Sequence, residues 1–444
     1  MEEKQLSSSS RKELGAASIG NFGEIFDFAV FAFSVPILSV HFFPGSDPTA
    51  ALLNTFAVYA VALFARPMGG LFFGYLADRI GRVRVLTLTI WLIAASTALI
   101  GLLPTHESIG VYAPILLVIC RVGQGLAIGG ETTSSTSYIL EAAPDGHRGR
   151  WVGIIWFWAM VPNAVVALLL LVLKLAVGEA AYSDWVWRVP FLLGGLIGVV
   201  GFWLRRNLEE PAEFTEAKKQ AATGDPLAAV SRSGLRSMLY VACIQPTQTV
   251  GAYLLAGFMY SFLVREAGLS STAALLCNAI GILALAFTIP LSGRLSDRFG
   301  RKRLLTVGAI WITLTAYPCV SLAGSGSLTA VIFGQVLFAV GVGLYSGATF
   351  PAVAELFPTS FRATGHAISY QLLVAIFGGT TPFIATWLIR ATGDVASPAY
   401  YVTFMGLLGL ALVQLIPETN NVNLRTAVGS TSQKVPKVVQ QAAS

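Results

Sequence analysis

The 444-residue sequence predicts an all-α integral membrane protein, with twelve spanning helices in two six-helix bundles related by an internal repeat. Three observations predict it. The first is composition: 55% of the residues are hydrophobic and 12% charged, where a soluble domain runs near 45–50% and 25%. One span takes about 20 apolar residues and twelve take roughly 240, which matches the apolar supply of this chain. The second is the recurrence of apolar stretches of spanning length from about residue 17 to 417. The third is a pair of motifs that each occur twice, described below. Together they argue against a soluble enzyme, a nucleic-acid-binding domain and a disordered chain.

Taken in order, spans are expected near 17–40, 51–76, 85–103, 112–142, 151–176 and 187–204. A second set is expected near 237–264, 271–293, 303–323, 328–356, 364–390 and 398–416. The stretch 112–142 is longer than the membrane requires and would tilt or project beyond it. The first span does not read as a cleaved signal peptide: its apolar run is too long, it carries Glu24 and Asp27, and no small-residue cleavage site follows. This divides the chain into an N-terminal tail 1–16, a bundle 17–204, a polar linker 205–236, a bundle 237–417 and a C-terminal tail 418–444. The tail is polar and lacks heptads, so no structure is expected for it.

Basic residues set the expected orientation. By alternation, one face receives both termini and the loops around Arg79–Arg84, Arg148–Arg150, Arg205–Arg236, Arg294–Arg303 and Arg362, with 23 Lys+Arg. The other face receives four: Lys174, Arg188, Arg265 and Arg390. Arg66 and Arg121 fall inside spans. Both termini are therefore expected in the cytoplasm, and the net charge of +6 reports orientation without any need for nucleic acid. Cys120, Cys243, Cys277 and Cys319 are scattered through apolar segments without CxxC spacing, which suits small buried residues rather than a metal site or disulfide framework.

The repeat is explicit. GYLADRIGRVR runs from Gly74 to Arg84, and GRLSDRFGRKR follows 219 residues later, from Gly293 to Arg303. Glu141-x-x-Pro144 with Arg148 is matched 214 residues on by Glu355-x-x-Pro358 with Arg362. Two six-span halves related by an internal repeat are a common transporter plan. Glycines in such a segment let helix ends approach closely. Asp78 and Asp297 can accept hydrogen bonds from helix N-terminal amides and pair with arginines. A latch that closes in one conformation is therefore expected from Gly74, Asp78, Arg79, Gly81, Arg82, Asp297, Arg298, Gly300 and Arg301, together with Glu141, Arg148, Glu355 and Arg362.

These twin segments resemble the signature loops of the major facilitator superfamily. Further stretches resemble its metabolite:proton symporters: Gly20-Asn21-x-x-Glu24-x-x-Asp27-Phe28, Arg66-Pro67-x-Gly69-Gly70, Arg121-x-Gly123-Gln124-Gly125 with Gly129-Gly130-Glu131, Trp187-Arg188-x-Pro190-Phe191, and Glu210-Pro211-x-x-Phe214. The resemblance covers about residues 15–417. One departure is Ile25, where that family usually carries an aromatic residue after the glutamate. The resemblance implies the major facilitator fold, substrates that include carboxylates and zwitterions such as proline and betaine, a prokaryotic inner or plasma membrane, and a contact role for Asn21.

Ionisable residues inside spans are costly and mark function. Five qualify: Glu24, Asp27, Arg66, Arg121 and Glu131, all in the first half. At a rise of about 1.5 Å per residue, Asp27 lies roughly 18 Å along its helix from Gly15, near mid-membrane. Arg66, Glu24 and Glu131 fall at similar depth, and Arg121 nearer the outer side. Asp27 is expected to couple the proton, with Arg66 or Arg121 as partner and Glu24 and Glu131 as further candidates. The second half offers neutral polar groups instead, among them Gln245, Gln248, Tyr253, Gln335, Tyr370 and Gln371, as substrate contacts beside the two arginines, while Tyr59, Trp156 and Trp158 read as core or interface residues.

The function expected is secondary active transport: proton-coupled uptake of a small organic acid, a mono- or dicarboxylate, by alternating access. The alternatives are proton symport of a zwitterionic osmolyte such as proline or betaine and, further off, proton-driven drug export. No HExxH, GxSxG or GxxxxGK[ST] occurs, and His41, His106, His147 and His366 are dispersed. Neither an enzyme, a cofactor nor a metal is therefore expected. The partners expected are the substrate, protons and the bilayer, without an obligatory protein partner.

Overall fold

The computed structural model describes residues 8–45, 47–80, 82–128, 136–137, 139–141, 143–144, 146–205, 234–359, 362–420, 422 and 424. Side chains are described for these except at 8–21, 24, 74, 77–80, 82–84, 86, 201–205 and 363.

The first half runs through α1 (Ser8–Phe42), α2 (Pro48–Ile80), α3 (Arg82–Leu102), α4 (Tyr112–Ile128), α5 (Arg148–Val177) and α6 (Val189–Arg205). The second half begins with α7 (Leu235–Arg265). It continues through α8 (Ser271–Phe299), α9 (Arg301–Ala323) and α10 (Leu328–Glu355). The helix α11 comprises Arg362–Leu373, a π turn Val374–Gly378 and Gly379–Thr392, and α12 covers Ser397–Val413. Among the described residues, eight helices are long and apolar enough to cross a membrane, and four shorter apolar helices complete the twelve.

Most of these helices are apolar on every side, the pattern of a helix that meets protein on one face and lipid on the other. Leu99, Ile119, Phe287, Leu314, Phe333 and Phe404 are exposed on the outer surface. In water such a surface would drive aggregation; against acyl chains it is stable. The two halves meet chiefly where α5 runs along α8, where α2 runs along α11 and where α1 meets α7. A stacked pair, Trp156 on α5 and Phe350 on α10, crosses this seam with ring centroids 3.7 Å apart.

Two features differ from the sequence reading. The second motif copy is scarcely a loop. Asp297 and Arg298 lie on the last turn of α8, Arg301 on the first turn of α9, and Gly300 alone joins them with φ +95°. That backbone conformation is one that L side chains rarely adopt, so glycine is required there. The second feature is the π turns, Leu254–Phe258 within α7 and Val374–Gly378 within α11. Such wide turns gather at functional sites, and no apolar periodicity announces them. Pro382 lacks the N–H that would bond the Gly378 carbonyl, so the second π turn ends where the regular ladder is already broken. In the first, Asn278 Nδ2 donates to the Leu255 carbonyl at 2.9 Å.

Candidate functional site

A central cavity lies between the halves. Its free space for a water-sized sphere is about 80 Å3. From the first half it is lined by Phe28 of α1, Tyr59 and Arg66 of α2, and Trp156 and Asn163 of α5. From the second half come Gln248 and Tyr253 of α7 and Tyr370 and Gln371 of α11. Five aromatic rings thus face one guanidinium, two glutamines and an asparagine. The π turns adjoin this wall, since Ala256 and Val374 also line it. Trp156 Nε1 and Gln371 Oε1 have no hydrogen-bond partner among the described residues. A buried donor and a buried acceptor left without partners are costly, and a polar ligand in this cavity would answer both.

Beside the cavity stands a buried polar chain. Asp27 is 2% exposed, and Thr97, Arg121 and Gln124 are fully buried. Thr97 Oγ1 donates to Asp27 Oδ2 at 2.8 Å, Gln124 Nε2 donates to Thr97 Oγ1 at 2.7 Å, and Arg121 Nη1 donates to Gln124 Oε1 at 2.8 Å. Both arginines lie over Phe28, Arg66 at 4.1 Å and Arg121 at 4.6 Å from the ring centroid. Arg121 also lies 4.1 Å from the Phe31 ring. Aromatic faces hold guanidinium groups in place of water. Arg121 therefore sits deep inside the protein and does not reach toward the surface.

The sequence-derived residues separate accordingly. Arg66, Gln248, Tyr253 and Tyr370 line the cavity, while Arg121, Gln245 and Gln335 stand behind its wall. Gln245 Nε2 donates to Gln248 Oε1 at 2.9 Å, and Gln335 Oε1 accepts from Asn278 at 3.3 Å. Glu131 and Gly81 lie outside the described residues, as do the side chains at Asn21, Glu24, Gly74, Asp78, Arg79 and Arg82. Sequence reasoning counted Gln371 among the neutral polar groups of the second half, and it lines the cavity, but it gave no role to Thr97 and read Trp156 as core or interface. One threonine or tryptophan in an apolar run carries no signal of its own.

The face bearing the repeated motifs is closed. The α5 and α8 backbones touch at Gly149 and Gly293. Asp297 on α8 caps α5 across the seam, accepting from the Gly149 and Arg150 amides at 2.7 and 2.8 Å. Arg301 holds Asp297 at 2.8 Å and Glu355 at 2.9 Å. Arg362 reaches across to Glu141. Burial pulls the Arg362 guanidinium below its ordinary pKa, and the Glu141 carboxylate opposes that pull. The exposed Arg298 joins none of these pairs but lies over Phe299.

The segment after α12, for which no structure was expected, takes part. Glu418 Oε1 accepts from the Arg301 amide at 2.8 Å, and Thr419 donates to Glu355 at 2.7 Å. The Val422 carbonyl accepts from Arg148 at 2.9 Å, and the Leu424 carbonyl accepts from Arg362 at 2.9 Å. This segment therefore bonds to both halves.

The opposite face is closed as well, by lighter contacts. Lys174 on α5 is 7% exposed, bonds Glu179 at 2.7 Å and donates to Ser271 at the head of α8. Asp47 pairs with Arg390 at 2.7 Å, but both are well exposed. Exposed pairs contribute roughly 0–1 kcal/mol, so Asp47→Asn should change thermal stability by less than about 1 kcal/mol. Lys174→Met removes a buried cation that joins the halves. It should raise the labelling rate of a cysteine placed at Ala256 by a reagent confined to that face. An unchanged rate would show that Lys174 does not help to close it.

Two helical halves enclosing a polar and aromatic cavity, closed by contacts on either side, define a membrane transporter. The model of sugar (and other) transporters matches residues 14–223, and that of the major facilitator superfamily matches residues 241–441. The proline/betaine transporter of Escherichia coli K12 is 32% identical over 432 residues, 95% of this chain and 86% of that protein. The citrate-proton symporter of Klebsiella pneumoniae is 34% identical over 412 residues, 92% of each chain. Among solved structures, the partially occluded inward-open xylose transporter XylE from E. coli superposes with a TM-score of 0.72. That match has 18% identity and covers 93% of this chain and 98% of the other. The chain belongs to the major facilitator superfamily. It is a transporter and not an enzyme.

Proposed function

We propose that this protein is a proton symporter that takes up a small zwitterionic osmolyte of the proline or betaine type. It works by alternating access in a prokaryotic inner or plasma membrane, with both termini and the motif face in the cytoplasm. The observation that carries the reading is the cavity wall. Five aromatic rings suit a quaternary or secondary ammonium group, and Arg66 suits one carboxylate. A dicarboxylate would favour a second cation on the wall, and Arg121 stands behind it. The proline/betaine relative supports the same choice. The organic-acid reading retains the support of Arg66 and of the citrate-symporter relative.

Asp27 is the proton-coupling acid in this proposal. It is a buried carboxylate next to the cavity, linked to an arginine and able to exchange that ionic state for a proton. Charge bookkeeping separates the two substrate classes. A zwitterion carried with one proton moves one positive charge, worth about 2.3 kcal/mol per 100 mV. A monocarboxylate carried with one proton moves none.

The test is uptake of labelled glycine betaine, proline and citrate into proteoliposomes under imposed pH and potassium-diffusion gradients. Uptake of betaine or proline driven by an inside-negative potential is expected. Uptake indifferent to an uncoupler would sink proton symport, and accumulation of citrate alone would restore the organic-acid reading. Trp156→Ala should raise the half-saturating betaine concentration between about twofold and thirtyfold, the range of a cation–π contact. An unchanged value would remove Trp156 from the binding wall.

A further inference from the structure

We infer that Thr97 and Gln124 are positioning residues that join the proton site to Arg121 through an oriented hydrogen-bond relay. The inference rests on the reading of Asp27 as the coupling acid. Every bond in the chain points the same way. The Arg121 guanidinium donates to the Gln124 carbonyl oxygen, the Gln124 amide donates to the Thr97 hydroxyl, and the Thr97 hydroxyl donates to the Asp27 carboxylate. A cation thus reaches an anion through two neutral dipoles, each polarised by its neighbour. The helices fix the geometry. Arg121 and Gln124 are three apart on α4 and share a face. Thr97 comes from α3. On α6, a Cβ at Gly194 would stand 2.6 Å from Asp27 Oδ1 and 2.8 Å from Thr97 Cγ2. A glycine there leaves just enough room for the carboxylate in this position.

The relay has two states. With Asp27 ionised, the Thr97 proton is committed to Oδ2. When a proton binds Oδ2, that oxygen becomes a donor and the Thr97 oxygen accepts from it. A hydroxyl has two lone pairs, so Thr97 can still accept from Gln124. Its own proton must then turn elsewhere, and a helical threonine has the carbonyl four residues back within reach. The rotor turns, the dipoles lose their common direction, and the pull on Arg121 weakens. Arg121 lies over Phe28 and Phe31, and Phe28 lines the cavity. Proton occupancy is thereby reported to the cavity wall without direct contact between Asp27 and the substrate.

Other groups act on the same carboxylate. From α4 comes Arg121, which interacts with Asp27 by charge, and Arg66 and Tyr59 on α2 and Tyr253 on α7 act in turn on that arginine. Thr97 on α3, Gly194 on α6 and the cavity residues Trp156, Met160 and Asn163 on α5 bring no titratable group. The side chain of Glu24 on α1 itself, and Glu131, lie outside the described residues. The relay is therefore one contribution among several. Its mark is a shift of the Asp27 titration rather than its loss.

The test uses the full chain reconstituted in lipid, and its titration arm needs no transported substrate. Infrared difference spectra are recorded against pH in the carboxyl C=O region, and Asp27→Asn identifies the Asp27 band. Thr97→Val removes the donor and keeps the shape. A hydrogen bond to the ionised form favours ionisation, so its removal should raise the Asp27 midpoint by about one pH unit or more. Thr97→Ser should restore the wild-type midpoint. Gln124→Leu should move the midpoint in the same direction by less, and it carries the test if Thr97→Val does not assemble. An unmoved midpoint in Thr97→Val, or in Gln124→Leu where that variant stands in, overturns the relay, as does a serine variant that titrates like valine. If Asp27→Asn also accumulates betaine normally, the underlying assignment of Asp27 has failed. A normal midpoint in Thr97→Val beside a defective Asp27→Asn condemns the relay alone.

Discussion

Replacing Asp27 with asparagine is expected to abolish gradient-driven accumulation while leaving exchange of substrate across the membrane measurable. The carboxylate is 2% exposed and held by the Thr97 hydroxyl. Asparagine has nearly the same shape and stays neutral, so it mimics the protonated state permanently. The cavity, its aromatic wall and Arg66 are left in place, and substrate can still bind and cross. The cycle no longer requires a proton on each passage, so no driving force is transmitted. At 100 mV, inside negative, one coupled charge supports about 2.3 kcal/mol, or roughly a fiftyfold concentration ratio. Accumulation in the variant should fall from that level toward unity, whereas counterflow of labelled against unlabelled betaine should persist. Full accumulation by Asp27→Asn would assign the proton to another carboxylate.

The second large effect is expected at the motif-face latch. Asp297→Ala should unlock the head of α5. In the closed form the carboxylate accepts from two backbone amides of the other half, Gly149 and Arg150, which no preceding helical turn can satisfy. Hydrogen bonds to a charged group contribute about 1.5–3 kcal/mol each. Hydrogen exchange at the Gly149 and Arg150 amides should therefore quicken by at least about tenfold. Transport should slow more than binding weakens, because the cavity wall is untouched and only return to the closed state is impaired. Arg301→Ala should be harsher. It leaves the buried Glu355 and Asp297 carboxylates without their shared cation, a loss of about 3–5 kcal/mol. Wild-type exchange rates at Gly149 and Arg150 in Asp297→Ala would refute the latch.

The sequence carried the plan of this protein further than its site. Among the described residues the twelve helices lie close to the twelve apolar stretches, the fourth being described as far as Ile128, because a span must be apolar along its length and the membrane tolerates few exceptions. Asp297, Arg301, Glu355 and Arg362 were visible because the repeat displays each motif twice. Membership of the pairs was not visible. Glu141 and Glu355 hold matching positions in the repeat, yet Glu141 meets Arg362 of the other half while Glu355 meets Arg301 of its own. The intramembrane charges stood out by their cost. Their depth along the helix did not show which of Arg66 and Arg121 reaches the cavity, since that depends on helix rotation. The neutral members Thr97 and Trp156 were hidden for the opposite reason: such residues are cheap in a membrane helix and occur there for many purposes. The π turns in α7 and α11 were illegible too, because apolar patterning does not record which carbonyl an amide selects.

The segment after α12 bears on how this protein should be handled. From Glu418 to Leu424 it is stitched to α5, α9, α10 and α11. A fluorescent or affinity tag spliced directly after Ile416 would delete those stitches and yield a carrier biased toward one orientation, however well it expressed. Splicing beyond Leu424 would preserve them. Any kinetic comparison between tagged versions of this transporter therefore needs its junction stated.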